Sequence, residues 1–288
     1  MPSSDAASSA RPPFRRILVA TNDSPHSRAA LQMAAQLAAG LEAKLDGLFV
    51  KNQTLLRAAQ IPFAKEVRTH SEAPRRLDDR RAQRQLRSQA ERAEATVRKI
   101  AEHANVDYAF RVVEGQVTRE LLRAADEADL VALGKTSTQS SRRRLGTTTR
   151  AVLAQAPTPV LVLRRALRAW RPLFTYYDGS DAARTALTVA AELASIGDGH
   201  RLTVGLPPVD DAAAHPDRYR DAVNDYCHER ALAVQTHRLT NAEHQRLAPF
   251  ARRTGHGLVV LPESAAPLAR PRLQRFLYLL DRPLLLVR

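Results

Sequence analysis

Two glycines and a run of threonines carry the spacing that could do chemistry. Gly134 ends an apolar run, Leu130-Val-Ala-Leu133. A polar loop follows, with Ser137 near its start and Arg142-Arg143-Arg144 near its end. Gly146-Thr147-Thr148-Thr149 then leads into a segment that reads as helix from about Arg150, and Pro159-Val-Leu-Val-Leu163 closes the unit as a short strand. A loop that meets a helix in this way offers unpaired backbone N–H groups and the positive end of the helix dipole to an anion. Threonine hydroxyls add donors. The chemistry implied is phosphate binding. The same residues also suit plain helix capping, and the arginine run also suits a solvated loop, so both readings stay open on sequence.

No catalytic constellation accompanies this loop. The nine histidines, at 26, 70, 103, 200, 215, 228, 237, 244 and 256, fall at no metal-ligand spacing. Cys227 and His228 are adjacent in a helical stretch, so their side chains diverge by about 100°. Packing is the expected role of both.

The elements that must position the loop read as alternating strands and helices. Phe14 to Ala20 is a short apolar strand after a basic lead-in. Thr21-Asn22-Asp23-Ser24-Pro25 is a turn and helix start, with Ser24 as N-cap and Pro25 at the first helical position. Ser27 to Leu41 is helical, and Lys44 to Val50 is a second strand. Asn52 to about Pro74 reads as loop with short helical pieces, and Arg75 to His103 as a strong helix. Asp107 to Val113, Val117 to Glu127 and Leu130 to Leu133 continue as strand, helix and strand. Each parallel strand needs a crossover, so this order predicts a doubly wound parallel sheet.

The pattern then repeats. Ser24 to Ala38 aligns with Ser180 to Ala194 at an offset of 156. Leu130-Val-Ala-Leu133 aligns with Leu258-Val-Val-Leu261 at 128, and Pro159 to Arg164 with Pro283 to Arg288 at 124. Three blocks in one order argue for an internal duplication, and the falling offset makes the second copy a trimmed one. The trimming removes most of the counterpart of Asn52 to Glu102. The organisation expected is a disordered tail at 1–13, a first domain at 14–165, a linker at 166–170 and a shortened second domain at 171–288. The fold class is α/β, with two tandem doubly wound five-stranded parallel-sheet domains.

These residues carry a family resemblance. The chain resembles the universal stress proteins, whose nucleotide loop follows G-x2-G-x9-G-[ST] between an apolar strand and a Pro-Val-Leu-Val-Val-like strand. Gly134, Gly146 and Thr147 match. The middle glycine is Ser137, and eight residues rather than nine separate it from Gly146. The resemblance runs from Phe14 to Arg288. It implies a Rossmann-like fold of the adenine nucleotide α-hydrolase type and a candidate adenine nucleotide, ATP for example, in the first domain. By the same resemblance the ligand contacts would be Ala20, Thr21 and Asn22 after strand one, Val50 of strand two, and Leu133, Gly134, Ser137, Gly146, Thr147 and Thr148 of the loop. The family's ribose-binding aspartate is Asn22 here. In the second copy Tyr177-Asp178-Gly179-Ser180 matches the first loop, yet Pro262-Glu263-Ser264 replaces the glycine loop, so that half is expected to bind no nucleotide. Asp178 reads there as part of the helix start. Resemblance to family dimers also implies an intramolecular pseudo-dimer with the two last strands at the interface, and a monomer or homodimer of such chains.

Composition sets the remaining bounds. The 288 residues are 44% hydrophobic and 26% charged, which fits a globular protein. No stretch is apolar for the length of a bilayer span. Residues 1–13 lack the apolar segment of a signal peptide, and Cys227 is the single cysteine, so a cytoplasmic protein without disulfides is expected. The net charge of +14 raises nucleic-acid association as an alternative function, but lysine occupies only positions 44, 51, 65, 99 and 135. The remaining basic residues are arginines spread along the chain, so no nucleic acid is expected. A slow nucleotide hydrolase is the other alternative. A regulatory binding protein without turnover, with or without an unidentified protein partner, is the leading expectation.

Overall fold

The computed structural model describes residues 13–22, 24–53, 65–66, 75–76, 79–134, 145–163, 171–196, 201–208, 217–253, 257–265 and 270–288. The tail at 1–12, Asp23, the loop containing Ser137 and Arg142 to Arg144, and the linker at 166–170 lie outside the described residues.

The first half runs β1 (Arg16–Ala20), α1 (Pro25–Leu41), β2 (Lys44–Asn52), β3 (Lys65–Glu66), β4 (Arg75–Arg76), α2 (Asp79–His103), β5 (Tyr108–Gly115), α3 (Val117–Ala125), β6 (Leu130–Gly134), α4 (Thr147–Gln155) and β7 (Val160–Leu163). The second half follows with β8 (Leu173–Tyr176), α5 (Asp181–Ser195), β9 (Arg201–Leu206), α6 (Arg218–His228), β10 (Ala233–Arg238), α7 (Asn241–Gln245), α8 (Leu247–Arg253), β11 (Leu258–Pro262), α9 (Arg270–Leu280) and β12 (Leu284–Val287).

Ten strands form one sheet in the order β10-β9-β8-β11-β12-β7-β6-β1-β2-β5. Within each half every pairing in this sheet is parallel, as the crossovers require. The halves meet where β7 and β12 pair antiparallel, Val160 opposite Leu286, Leu161 opposite Leu285 and Val162 opposite Leu284. That register is its own mirror under the offset of 124. Leu161 and Leu285 are equivalent residues facing each other, so a pseudo-two-fold axis passes between them. Both central edges are thereby covered.

Helices α1, α2, α5 and α6 cover one face of the sheet, and α3, α4, α8 and α9 the other. The central strands are apolar throughout because they are buried on both faces. Ser24 caps α1 through its side chain, which accepts from Ser27 N–H at 3.1 Å, and Pro25 stands in the first turn.

Several boundaries differ from the sequence reading. The long helix begins at Asp79 and not at Arg75, because Arg75–Arg76 pairs antiparallel with Lys65–Glu66. A two-residue ladder is too short to show the period-two alternation that marks strands in a sequence. What remains in the second half of the counterpart of the long helix is α6, with 11 residues against 25 in α2. Helix α4 starts at Thr147, three residues before Arg150. Threonine is a poor helix former, so propensity alone places that start too late.

Cys227 is fully buried in α6. Burial pushes its thiol up to about 11, with Arg230 pulling the other way. It remains a protonated packing group.

Candidate functional site

The chain folds through β1 and then β2 on one side, but β6 lies on the other side of β1, so strand order switches between β1 and β6. Doubly wound sheets open a crevice at that point, beyond the carboxyl ends of the strands. A cleft of about 250 Å³ lies there. Nine of the ten residues named from the sequence line it: Ala20, Thr21, Asn22, Val50, Leu133, Gly134, Gly146, Thr147 and Thr148. Ser137 lies outside the described residues.

The turn after β1 is held by its own hydrogen bonds. Thr21 donates to Leu48 O twice, from its backbone N–H at 2.8 Å and its hydroxyl at 3.1 Å. Asn22 N–H donates to Ser27 Oγ at 2.9 Å, and Ser27 Oγ–H donates to Ala20 O at 3.2 Å. Ser24 N–H donates to Asn22 Oδ1 at 3.1 Å, an Asx turn. The donors of Thr21 and the amide oxygen of Asn22 are therefore committed to the fold. What Asn22 retains for a ligand is its amide nitrogen, which only donates.

The opposite wall is the start of α4. Gly146 is the N-cap, with φ −57° and ψ 147°, and as a glycine it supplies no side-chain cap to the first turn. Thr149 also lines the cleft, but its hydroxyl is spent on Gly134 O, to which it donates at 2.9 Å, tying α4 to the end of β6. Thr147 and Thr148 line the cleft. None of the described lining residues is charged, so an anion here would be held by backbone N–H groups, hydroxyls and the helix dipole alone.

Gly134 has a packing role of its own. A Cβ there would come within 2.8 Å of the backbone carbon of His26. Glycine lets the end of β6 approach the first turn of α1, which holds the two loops side by side. Gly134→Ala should cost about 1–3 kcal/mol of stability, as overpacking against backbone does. Urea unfolding followed by circular dichroism would measure it, and a wild-type midpoint would contradict this close approach.

The sequence reading missed Leu86 and Gln89 of α2 and Val117 and Leu121 of α3, which form the side walls. The signal was present in α2, where Leu86, Ala90, Ala93, Val97 and Ala101 are buried at helical spacing. That stripe identifies a packed face, but only the tertiary fold brings its first turns over the end of β2.

The second half repeats the turn. Tyr177 N–H donates to Gly205 O at 2.9 Å, Ser180 N–H donates to Asp178 Oδ1 at 3.0 Å, and Ser180 Oγ accepts from Ala183 N–H at 3.2 Å. Ser180 is thus the helix cap, and Asp178 makes the Asx turn ahead of it. Gly179 has φ +83°, which favours glycine, and a Cβ there would also strike the ring of Tyr219. After β11, Glu263 N–H donates to Val287 O at 2.8 Å and its carboxylate pairs with Arg288 at 3.3 Å. A negative side chain engaged at this point gives a phosphate nothing to replace the missing glycine loop.

Among the described residues, no group of three or more His, Cys, Asp and Glu side chains is placed to hold a metal ion. No helix among them is long and apolar enough to cross a membrane.

Among curated proteins none matches the chain. Of solved structures, a universal stress protein from Archaeoglobus fulgidus DSM 4304 is 15% identical with a TM-score of 0.72, covering 96% of this chain and 96% of that one. A functionally unknown protein from Pseudomonas aeruginosa PAO1 is 16% identical with a TM-score of 0.57, covering 95% of this chain and 92% of that one. At these identities the likeness shows a shared fold over both halves. The model of the universal stress protein family matches residues 13–164, more than half of the chain, and the chain belongs to that family.

Proposed function

We propose that this protein binds an adenine nucleotide in its first half as a regulatory ligand and does not turn it over. The observation that carries this reading is the start of α4: an N-terminus whose cap residue, Gly146, has no side chain, facing a cleft that is neutral and hydroxyl-rich among the described residues, at the switch of strand order. The apolar floor of Leu48, Val50 and Leu133 suits a base, and Asn22 stands where a ribose would lie. With no charged side chain among the described lining residues, affinity is modest. None of those residues carries a carboxylate or imidazole to activate water, which favours binding over hydrolysis.

In this reading residues 14–165 and 171–288 are the two domains, joined at 166–170, and only the first is liganded. The chain then acts as a cytoplasmic pseudo-dimer, monomeric or self-paired, that signals its nucleotide state to a protein partner. The direct test is whether nucleotide co-purifies with the protein, followed by calorimetry with ATP, ADP and adenosine. Absence of binding by all three would overturn the reading.

Asn22→Asp sharpens it. The carboxylate would keep one oxygen in the Asx turn and free the other to accept from ribose hydroxyls. A hydrogen bond to a charged group is worth about 1.5–3 kcal/mol, so affinity should rise about tenfold or more. Unchanged or weaker binding in the same titration would remove Asn22 from the ribose site.

A further inference from the structure

The two halves differ at one residue whose place in the fold is fixed on both sides. Ala20 is the last residue of β1 and lies opposite Leu48 in β2. Tyr176 is the last residue of β8 and lies opposite Gly205 in β9. The bonds that follow are the same in each half: Thr21 N–H to Leu48 O and Tyr177 N–H to Gly205 O, then the Asx turns of Asn22 and Asp178, then the caps of Ser24 and Ser180. Thr21 and Tyr177, Asn22 and Asp178, and Ser24 and Ser180 are each related by the offset of 156. Tyr176 therefore occupies the position of Ala20, and both pack on the same face of the sheet.

The consequences are opposite. Ala20 leaves room, and its methyl lines the open cleft. Tyr176 is 2% exposed, and its ring stacks on His244 with centroids 5.4 Å apart and planes 17° apart. Its hydroxyl lies 3.1 Å from His244 Nε2. The buried tyrosine ring, backed by a half-buried imidazole, stands at the position corresponding to the open cleft of the first half.

We infer that this strand-end position selects which half takes a planar ligand: alanine opens the first half, and Tyr176 fills the second with its own ring. The inference rests on the nucleotide reading of the first cleft, and it adds a ligand class for the second half once the ring is removed. That class is a neutral planar heteroaromatic of indole or adenine size, because the Tyr176 ring packs in an apolar cluster and against the His244 imidazole, and this half has no glycine loop for a phosphate. One nucleoside per chain follows from this position as well as from the missing glycine loop.

Three chains test it: Ala20→Tyr, Tyr176→Ala, and the double variant that exchanges the two. Wild type should bind one adenosine in calorimetry, and Ala20→Tyr none while still folded by circular dichroism. The double variant should take up indole, read as a rise in melting temperature that Ala20→Tyr alone does not show, because a dry cavity left by a deleted ring accepts an aromatic of similar size. Tyr176→Phe made in the Ala20→Tyr background keeps the ring and should take up no indole. Should the alanine variant fail to fold, Tyr176→Val, which retains part of the core volume, takes its place. Wild-type adenosine binding by Ala20→Tyr, or a folded double variant indifferent to indole, overturns the inference. If wild type itself binds no adenosine, the nucleotide reading fails, and the indole comparison still decides this one.

Discussion

Leu161→Asp abolishes the folded state of both halves, and Leu161→Ala and Leu285→Ala each cost about 2–5 kcal/mol, nearly equally. Both leucines are fully buried, and they face each other across the antiparallel pair on the pseudo-two-fold axis. An aspartate at 161 would place a carboxylate at the centre of a ten-stranded sheet, with helices over both faces. An unpaired buried charge costs several kcal/mol beyond the forfeited apolar transfer. Together those terms rival the total stability of an ordinary domain, about 5–15 kcal/mol. Urea unfolding followed by far-ultraviolet circular dichroism is the measurement. The alanine variants should unfold in a single transition, because the sheet is continuous through β7 and β12. A biphasic curve, with one half surviving the other, would show that the shared sheet does not couple them, and soluble, folded Leu161→Asp would show that the axis is not buried in solution.

The sheet was legible in the sequence for a physical reason. Strands covered by helices on both faces must be continuously apolar, and Ile17-Leu18-Val19, Leu130 to Leu133 and Val160 to Leu163 have no other reason to be so. The repeat made the second half readable where its own helix signals were weak, since β11 and β12 align with β6 and β7. Pairing between β7 and β12 followed from the family resemblance. Its register did not, because equal apolar residues at successive positions give no preference until the two-fold arrangement fixes one.

The site was legible along the backbone and less so around it. Glycine and threonine at the end of β6 and the start of α4 announce a loop against a helix start, and strand order brings that loop to the turn after β1. The side walls come from α2 and α3, whose sequence distance from the loop hides their approach to it. Gly134 shows a second limit. It matches a nucleotide-loop pattern, yet its closest constraint is the backbone of His26, so a motif glycine can serve packing and ligand approach together. The exchange of Ala20 for Tyr176 was visible at the offset of 156, but a size difference acquires meaning only once both residues are known to share a face.

Gly146→Val should remove nucleotide binding while leaving the fold intact, and Asp178→Ala should do neither harm nor good to binding. Gly146 has φ −57° and ψ 147°, which any residue adopts, so valine introduces no backbone strain. Its branched side chain would instead stand at the helix start, in the space a phosphate needs to reach the N–H groups of Thr147 and Thr148. Each charge-assisted hydrogen bond to that phosphate is worth about 1.5–3 kcal/mol, so removing two weakens binding by more than about a hundredfold. Asp178 lies in the half with no glycine loop, and its carboxylate is engaged by Ser180 N–H. Its removal should cost about 1 kcal/mol of stability by undoing the turn, with no effect on ligand. Calorimetry with ATP on the two single variants, each checked for folding by its urea midpoint, separates the alternatives. Loss of binding in Asp178→Ala while Gly146→Val still binds would move the site to the second half and refute the assignment.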